Sequence, residues 1–96
     1  MKLKSIDDYA DKLRQNDPNF DKELAEARMN FKIAIAVKEL RQEMGLTQQE
    51  FAQVVGKSTS TIARIETGFV KANTRTLIDI AVKTHRELSF EFTPEA

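Results

Sequence analysis

The feature that most constrains this chain is a pair of short, separately capped segments between Thr47 and Gly68. Thr47 and Glu50 have the spacing of a capping box, which predicts that a helix begins at this point. Gly56 can adopt the positive φ of a tight turn at little cost, and Ser58 can cap a second helix that ends before Gly68. Two helices joined by so short a turn must pack against each other at a steep angle.

The spacing of Ala52, Gly56 and Ile62 agrees with such a corner, because Ala52 lets the helices touch and Ile62 fills the angle between them. We predict an inner apolar face made of Phe51, Ala52, Val55, Ile62 and Ile65. The outward side chains of the second helix are then Ser58, Thr59, Ser60, Thr61 and Arg64. Short hydroxyls at a helix N-terminus, with an arginine one turn later, suit the major groove of DNA. The segment is therefore predicted to be a helix-turn-helix.

The residues before this corner predict two helical stretches, the first ending near Gln15 and the second running from Pro18 to Met44. The apolar residues of the second stretch form two stripes rather than one. The first stripe contains Phe20, Leu24, Ala27, Phe31 and Ile35, and the second contains Ile33, Val37, Leu40 and Met44. Either the stretch breaks near Asn30, or one long helix serves two packing surfaces. Phe20, Leu24, Phe31 and Ile35 either bury the first helix or form a docking surface for another protein.

The residues after the corner predict one more helix, capped by Asn73, and then a short strand. Leu88, Phe90 and Phe92 alternate with polar residues until Pro94, which is the period of a strand. A lone strand cannot satisfy its own backbone, so it requires a partner within the chain, in a second copy, or in another protein. Because exposed apolar edges promote aggregation, we expect these three residues to form a pairing or dimer edge.

Composition excludes several classes of protein. The chain has no cysteine, which excludes disulfides, thiol catalysis and cysteine-ligated metals. Its longest apolar run, from Ile33 to Val37, is far shorter than the ~20 residues that span a bilayer, and we expect a soluble, cytoplasmic domain. His85 is the sole histidine, and no nucleophile–base pair, metal cluster or glycine loop is present, so neither an enzyme nor a cofactor is expected.

Charge distribution favours a nucleic-acid partner more than the total does. Fifteen basic residues balance fifteen acidic ones over the whole chain. Residues 57–85, however, contain five basic and two acidic residues, a net charge of +3. A basic stretch of this kind can attract phosphate.

The run from Val37 to Ala52 resembles the first helix and turn of the Xre-type (Cro/phage-repressor) helix-turn-helix family, and Ile65-Glu66-Thr67-Gly68 resembles the end of its recognition helix. The resemblance implies an all-α fold with five helices, to which this chain adds an N-terminal helical extension and a short C-terminal strand. We expect an extension over residues 1–30, a DNA-binding domain over 31–85, and a strand and tail over 86–96. The chain departs from the family at Lys83-Thr84-His85, where many relatives have a glycine.

The resemblance also implies roles for individual residues. Arg41 and Glu66 would form a mostly buried salt bridge between the first helix and the recognition helix. Gln48, at the N-terminus of the scaffold helix, would grip a DNA phosphate. The positions that read bases or adjacent phosphates are occupied by Lys57, Ser58, Thr59, Ser60 and Arg64, and those in the loop along the DNA backbone by Lys71 and Asn73.

The two flanks resemble those of HigA-like antitoxins. The resemblance rests on Asp17-Pro18-Asn19-Phe20 ahead of a helix and on the Leu-Ser-Phe-Glu-Phe segment behind the corner. It implies a protein that neutralises a small, basic, RelE-like mRNA-cleaving toxin by direct binding. It further implies a homodimer that represses its own operon at an inverted-repeat operator. A free-standing Xre-type repressor without a toxin partner is the alternative.

Overall fold

The computed structural model describes Asp11 and residues 18–95, which fold into α-helices joined by short turns. Four helices lie within residues 18–95: α1 (Phe20–Glu43), α2 (Gln48–Val55), α3 (Thr59–Thr67) and α4 (Thr74–Lys83). Apart from Asp11, which is helical, the predicted helix that ends near Gln15 falls outside the described residues. The five helices expected of the domain, to which that helix was an addition, are not shown, because residues 18–95 contain four.

Helix α1 is one continuous helix of 24 residues, so the alternative of a break near Asn30 is excluded. It begins at Phe20 rather than at Pro18, because Pro18 and Asn19 form a turn that leads into it. The boundary expected between residues 30 and 31 therefore lies inside this helix. Its two stripes have different environments: Ile33, Val37, Leu40 and Met44 pack into the core, whereas Phe31 and Ile35 remain 43% and 57% exposed.

The core lies where α3 packs against both α1 and α2, with α4 closing α2 from the other side. Phe51 of α2 and Ile62 of α3 are fully buried, as their inward positions in the corner predict. The cluster of buried side chains consists of Val37, Phe51, Ala52, Val55, Ile62, Ile65 and Ile80. The predicted all-α fold and helix-turn-helix core are thus confirmed.

Helix α4 ends without a glycine. His85 takes the left-handed conformation at φ 57° in which helix ends usually place glycine. The N–H of Arg86 donates to the carbonyl of Ala81 at 2.9 Å, which closes the turn in the usual manner. The turn that glycine makes in many relatives is therefore made here by His85.

The tail after α4 differs from its prediction. Residues 86–95 have no regular secondary structure, so the strand predicted from Leu88 to Phe92 is absent from the single chain. The physical reason is that residues 18–95 contain no other strand with which this backbone can pair. Residues 18–95 therefore do not supply the first of the three partners considered, a strand within the same chain.

Candidate nucleic-acid interface

The helix-turn-helix is shaped by three local devices. The Thr47 hydroxyl accepts from the N–H of Glu50 at 3.1 Å, and the Glu50 carboxylate accepts from the N–H of Thr47 at 2.9 Å. The hydrogen bond that the Thr47 backbone N–H donates to the carboxylate is the first cause that holds the pKa of Glu50 below its usual value. Gly56 ends α2 in the left-handed conformation at φ 70°, and Ser58 caps α3. The corner is therefore specified at both helix starts and at the turn between them.

The N-terminus of α3 carries a linked group of hydroxyls. The Ser58 hydroxyl accepts from the N–H of Thr61 at 3.1 Å and lies 2.8 Å from the Thr61 hydroxyl. It also lies 3.1 Å from the hydroxyl of Ser60. Ser58 is thus engaged as the helix cap, and Thr59 and Ser60 lie in the first turn of α3; all three residues are exposed. Of these hydroxyls, those of Thr59 and Ser60 have the positions best suited to reach bases.

Arg64 lies one turn further along α3 and is exposed. It borders a shallow recess together with Thr61 of the same helix and Lys71 and Asn73 of the following loop. The side-chain oxygen Oδ1 of Asn73 caps α4 by accepting from the N–H of Thr76 at 2.8 Å, while Lys71 is exposed. The structure therefore brings Thr61 and Arg64 of the recognition helix together with Lys71 and Asn73 of the loop around one recess.

A buried ion pair ties α1 to α3. The Arg41 guanidinium donates from Nε and Nη2 to the two carboxylate oxygens of Glu66, each at 2.8 Å, with 14% and 5% of the side chains exposed. The Arg41 hydrogen bond is the main cause that lowers the pKa of Glu66. Arg41 also donates to the Leu46 carbonyl at 3.0 Å, an additional contact that fixes the loop before α2.

Gln48 joins this pair. Its side-chain amide donates to a Glu66 oxygen at 3.3 Å, and the residue is half-buried in the first turn of α2. The residue expected to grip a phosphate is therefore positioned by the same carboxylate that holds Arg41. Its position at the start of α2, where backbone N–H groups lack helical partners, remains suited to an anion.

Lys57 is paired within the chain. Its ammonium nitrogen lies 2.8 Å from a carboxylate oxygen of Asp79 on α4, and the two side chains are 26% and 43% exposed. The Lys57 hydrogen bond is the first cause that lowers the pKa of Asp79. Sequence reasoning assigned Lys57 to DNA and assigned no role to Asp79. No local signal joins them, because 22 positions separate them in the chain.

The apolar residues proposed for a partner do not form one uniform face. Leu24 is buried and Phe20 half-buried, whereas Phe31 and Ile35 are exposed. The Phe31 ring meets the ring of Phe69 edge-to-face at 5.5 Å. Phe69, which is 81% exposed, was missed; its signal was an aromatic residue directly after the glycine that ends the recognition helix.

Gly68 lies directly beneath this aromatic pair. It ends α3 in the left-handed conformation at φ 79°, and a Cβ built there would collide with the ring of Phe31. Only glycine therefore allows α1 and the end of the recognition helix to approach so closely.

Membrane and metal sites were also considered. Among residues 18–95 no helix combines the length and apolarity needed to cross a membrane. Within the same residues, no group of three or more histidine or acidic side chains is arranged to hold a metal ion.

Comparison with known proteins adds one positive result. A family model described as helix-turn-helix matches residues 37–90, which is more than half of the chain. The matched segment begins in the second half of α1 and includes α2, α3, α4 and the start of the tail. A comparison with curated proteins finds no match.

Proposed function

The chain belongs to the Xre-type helix-turn-helix family of DNA-binding regulators, and from this premise we propose that it represses transcription as a homodimer on an inverted-repeat operator. The observation that carries the proposal is the shared surface of α3 and its following loop. Exposed Thr59, Ser60 and Arg64 project from the recognition helix, and Lys71 lies beside Arg64. One such surface reads only a few base pairs, so a twofold pair is expected, with half-sites about 34–36 Å apart or a multiple of this distance.

The roles on this surface follow from position and exposure. Arg64 has a free, planar guanidinium one turn into α3 and is assigned to a base edge, where arginine commonly binds guanine. Gln48 and Lys71 lie at a helix start and in a loop, and they are assigned to phosphates. Ser58 and Asn73 are assigned to positioning, because their oxygens cap α3 and α4.

A binding titration on the DNA upstream of the gene tests these roles. Arg64→Ala should weaken binding and relax the preference at one base position by about 1–3 kcal/mol. Gln48→Ala should weaken binding to all sequences alike. Lys22→Ala, which removes a charge from the first turn of α1 outside the corner, serves as the control. An Arg64→Ala variant that binds as tightly and selectively as the parent would overturn the assignment.

A second activity is proposed for α1, namely neutralisation of a small basic toxin. The supporting observation is that residues 20–36 of α1 lie outside the matched residues 37–90 and expose apolar side chains, with Met29 54% and Ile35 57% exposed. A free-standing repressor is the alternative, and a short reading frame for a basic protein beside this gene distinguishes the two.

Substitution within the full chain tests the toxin contact. Met29→Asp with Ile35→Asp should abolish both co-purification with the neighbouring gene product and rescue of cells from it, while DNA binding persists. Lys22→Asp and Glu26→Lys, also on α1, are the controls for a change of charge. Rescue that survives the apolar substitutions would show that Met29 and Ile35 do not form the contact.

A further inference from the structure

An open apolar groove lies between α1 and α4. Its volume is about 360 Å³, and its lining residues include Ile33, Ala36, Val37 and Leu40 of α1, Leu77, Ile80 and Ala81 of α4, and Leu88 of the tail. Charged side chains of Glu39, Glu43, Arg86 and Glu87 complete its rim. The tail thus enters the groove with one leucine, and the space beyond that leucine is unfilled.

The tail carries exposed apolar side chains next to this unfilled groove. Leu88, Phe90 and Phe92 are 43%, 85% and 97% exposed. The rings of Phe90 and Phe92 contact each other edge-to-face at 6.2 Å, so they shield only one another. Phe92 is the most exposed of the large hydrophobic side chains that the structure describes. Such a segment beside an unfilled apolar groove indicates an interface.

We propose that the occupant is a second copy of this chain: two tails pair antiparallel about a twofold axis at Phe90, and the apolar face of the resulting ribbon covers both grooves. The inference deepens the proposed function, because it assigns the contact of the proposed dimer. Leu88 links the two parts, since it belongs to the strand pattern and already lines the groove.

The side-chain alternation selects the register. In an antiparallel pair, residues directly opposite each other lie on the same face of the ribbon. With the axis at Phe90, the opposite pairs are Phe90 with Phe90, Leu88 with Phe92, and Ser89 with Glu91. All six apolar side chains then share one face. An axis between two residues instead places Phe90 opposite a polar neighbour, which divides the apolar side chains between the two faces.

Charge argues against the two registers in which the twofold axis moves by one residue, to Ser89 or to Glu91. An axis at Ser89 places Glu87 opposite Glu91, and an axis at Glu91 places Glu91 opposite itself. Like charges directly opposite each other destabilise a pair of strands. With the axis at Phe90, Glu87 lies opposite Thr93 and Glu91 opposite Ser89, so no glutamate faces another.

The groove explains why the ribbon would be stable. A two-stranded ribbon alone is marginal in water and needs an apolar surface to pack against. The α1–α4 groove of each copy offers that surface immediately beside the point where the tail leaves α4. Pairing also explains why Leu88 to Phe92 form no strand in the single chain, since the other half of the ribbon is in the partner.

The absence of cysteine allows a direct test in the full chain. Phe90→Cys should give a disulfide-linked dimer under mild oxidation, because Cβ atoms of opposite residues lie about 4.5–5.5 Å apart. Phe92→Cys alone should cross-link far less, whereas a mixture of Leu88→Cys and Phe92→Cys chains should cross-link to each other. If Phe92→Cys links with itself as readily as Phe90→Cys, the register is wrong.

Light scattering provides the second measurement. The parent should be a dimer, and the double variant Phe90→Ser, Phe92→Ser should be a monomer with unchanged helical circular dichroism, since both rings are exposed in the single chain. Ser89→Ala should remain dimeric. A dimeric double-serine variant would overturn the tail contact and leave the dimeric repressor standing. A parent that is monomeric at every concentration would overturn both, while the Arg64→Ala titration tests DNA binding separately.

Discussion

The ammonium of Lys57 lies 2.8 Å from the carboxylate of Asp79, so a cation beside the recognition helix is held by an anion from α4. A DNA phosphate that approaches Lys57 must compete with Asp79. Each phosphate contact made by a cation releases counterions and steepens the dependence of binding on salt. If Lys57 contacts a DNA phosphate, as expected from the sequence, Asp79 should lower both the affinity for DNA and the salt dependence of binding.

Replacing Asp79 should strengthen DNA binding. Asp79→Asn should raise affinity and steepen the slope of log K against log[salt] by up to about 0.9, the contribution of one phosphate contact. In a Lys57→Gln background the same change should have little effect. Titrations at several salt concentrations measure this cycle, with Glu87→Gln in the tail as a control for net charge. An equal gain in both backgrounds would mean that only net charge matters.

The Arg41–Glu66 pair should contribute far more to stability than the Lys57–Asp79 pair. Glu66→Ala leaves a largely buried guanidinium uncompensated and should cost about 3–5 kcal/mol in the free energy of unfolding. Asp79→Asn, in a pair that is considerably exposed, should cost less than about 1 kcal/mol. Urea unfolding of both variants measures the difference. Similar losses in the two variants would contradict the burial argument.

Acid should weaken the α1–α3 tie through Glu66. The folded-state pKa of Glu66 is lowered, chiefly by the hydrogen bond from Arg41. A carboxyl with a depressed folded pKa contributes stability fully above its unfolded pKa, and this contribution disappears as pH falls through the folded value. The parent should therefore lose more stability than Glu66→Gln between about pH 5 and pH 3. Parallel pH profiles of the two proteins would refute this cause.

The two left-handed glycines of the corner should respond differently to alanine. Gly56 has open space where a Cβ would lie, so Gly56→Ala should cost about 1–2 kcal/mol from backbone conformation alone. Gly68→Ala adds a collision with Phe31 and should cost about 2–4 kcal/mol. Phe31→Ala should recover part of that loss in the double variant. Thermal unfolding of the parent, Gly68→Ala, Phe31→Ala and their double variant measures this coupling. The same cycle with Gly56→Ala in place of Gly68→Ala should show none.

A glycine at position 85 should stabilise the protein. His85 holds φ 57°, a conformation that costs a residue with a side chain about 1 kcal/mol relative to glycine. Relief of this strain in His85→Gly should raise the unfolding midpoint by about 4–8 °C. The greater conformational entropy of glycine in the unfolded chain reduces that gain. His85→Ala keeps the strained conformation and is the control. An equal rise with alanine would indicate that the imidazole, and not the backbone, is responsible.

The corner could be predicted from sequence because its causes are local. Thr47, Glu50, Gly56 and Ser58 act on neighbours within a few positions, and the periodicity of Phe51 to Ile65 sets the buried face. Whether α1 was one helix or two could not be decided, since an apolar stripe records which side is buried and not whether the backbone is continuous.

The contacts that sequence reasoning missed are long-range. Asp79 reaches Lys57, and Phe69 reaches Phe31, only after the helices have packed. The pattern of Leu88 to Phe92 predicted a strand that requires a partner, yet periodicity carries no information about whether such a partner lies in the same chain. Tertiary and quaternary packing decide such contacts.

The continuity of α1 has a mechanical consequence. A helix of 24 residues is about 36 Å long and stiff. Arg41 ties its C-terminal half to the recognition helix through Glu66, and Phe31 packs against Gly68 at the end of that helix. A partner bound near Phe20 would consequently have a fixed orientation relative to the helix-turn-helix. One extra alanine inserted after Asn30 would rotate the N-terminal part of α1, and any partner bound there, by about 100° about the helix axis. The orientation of the helix-turn-helix would stay the same.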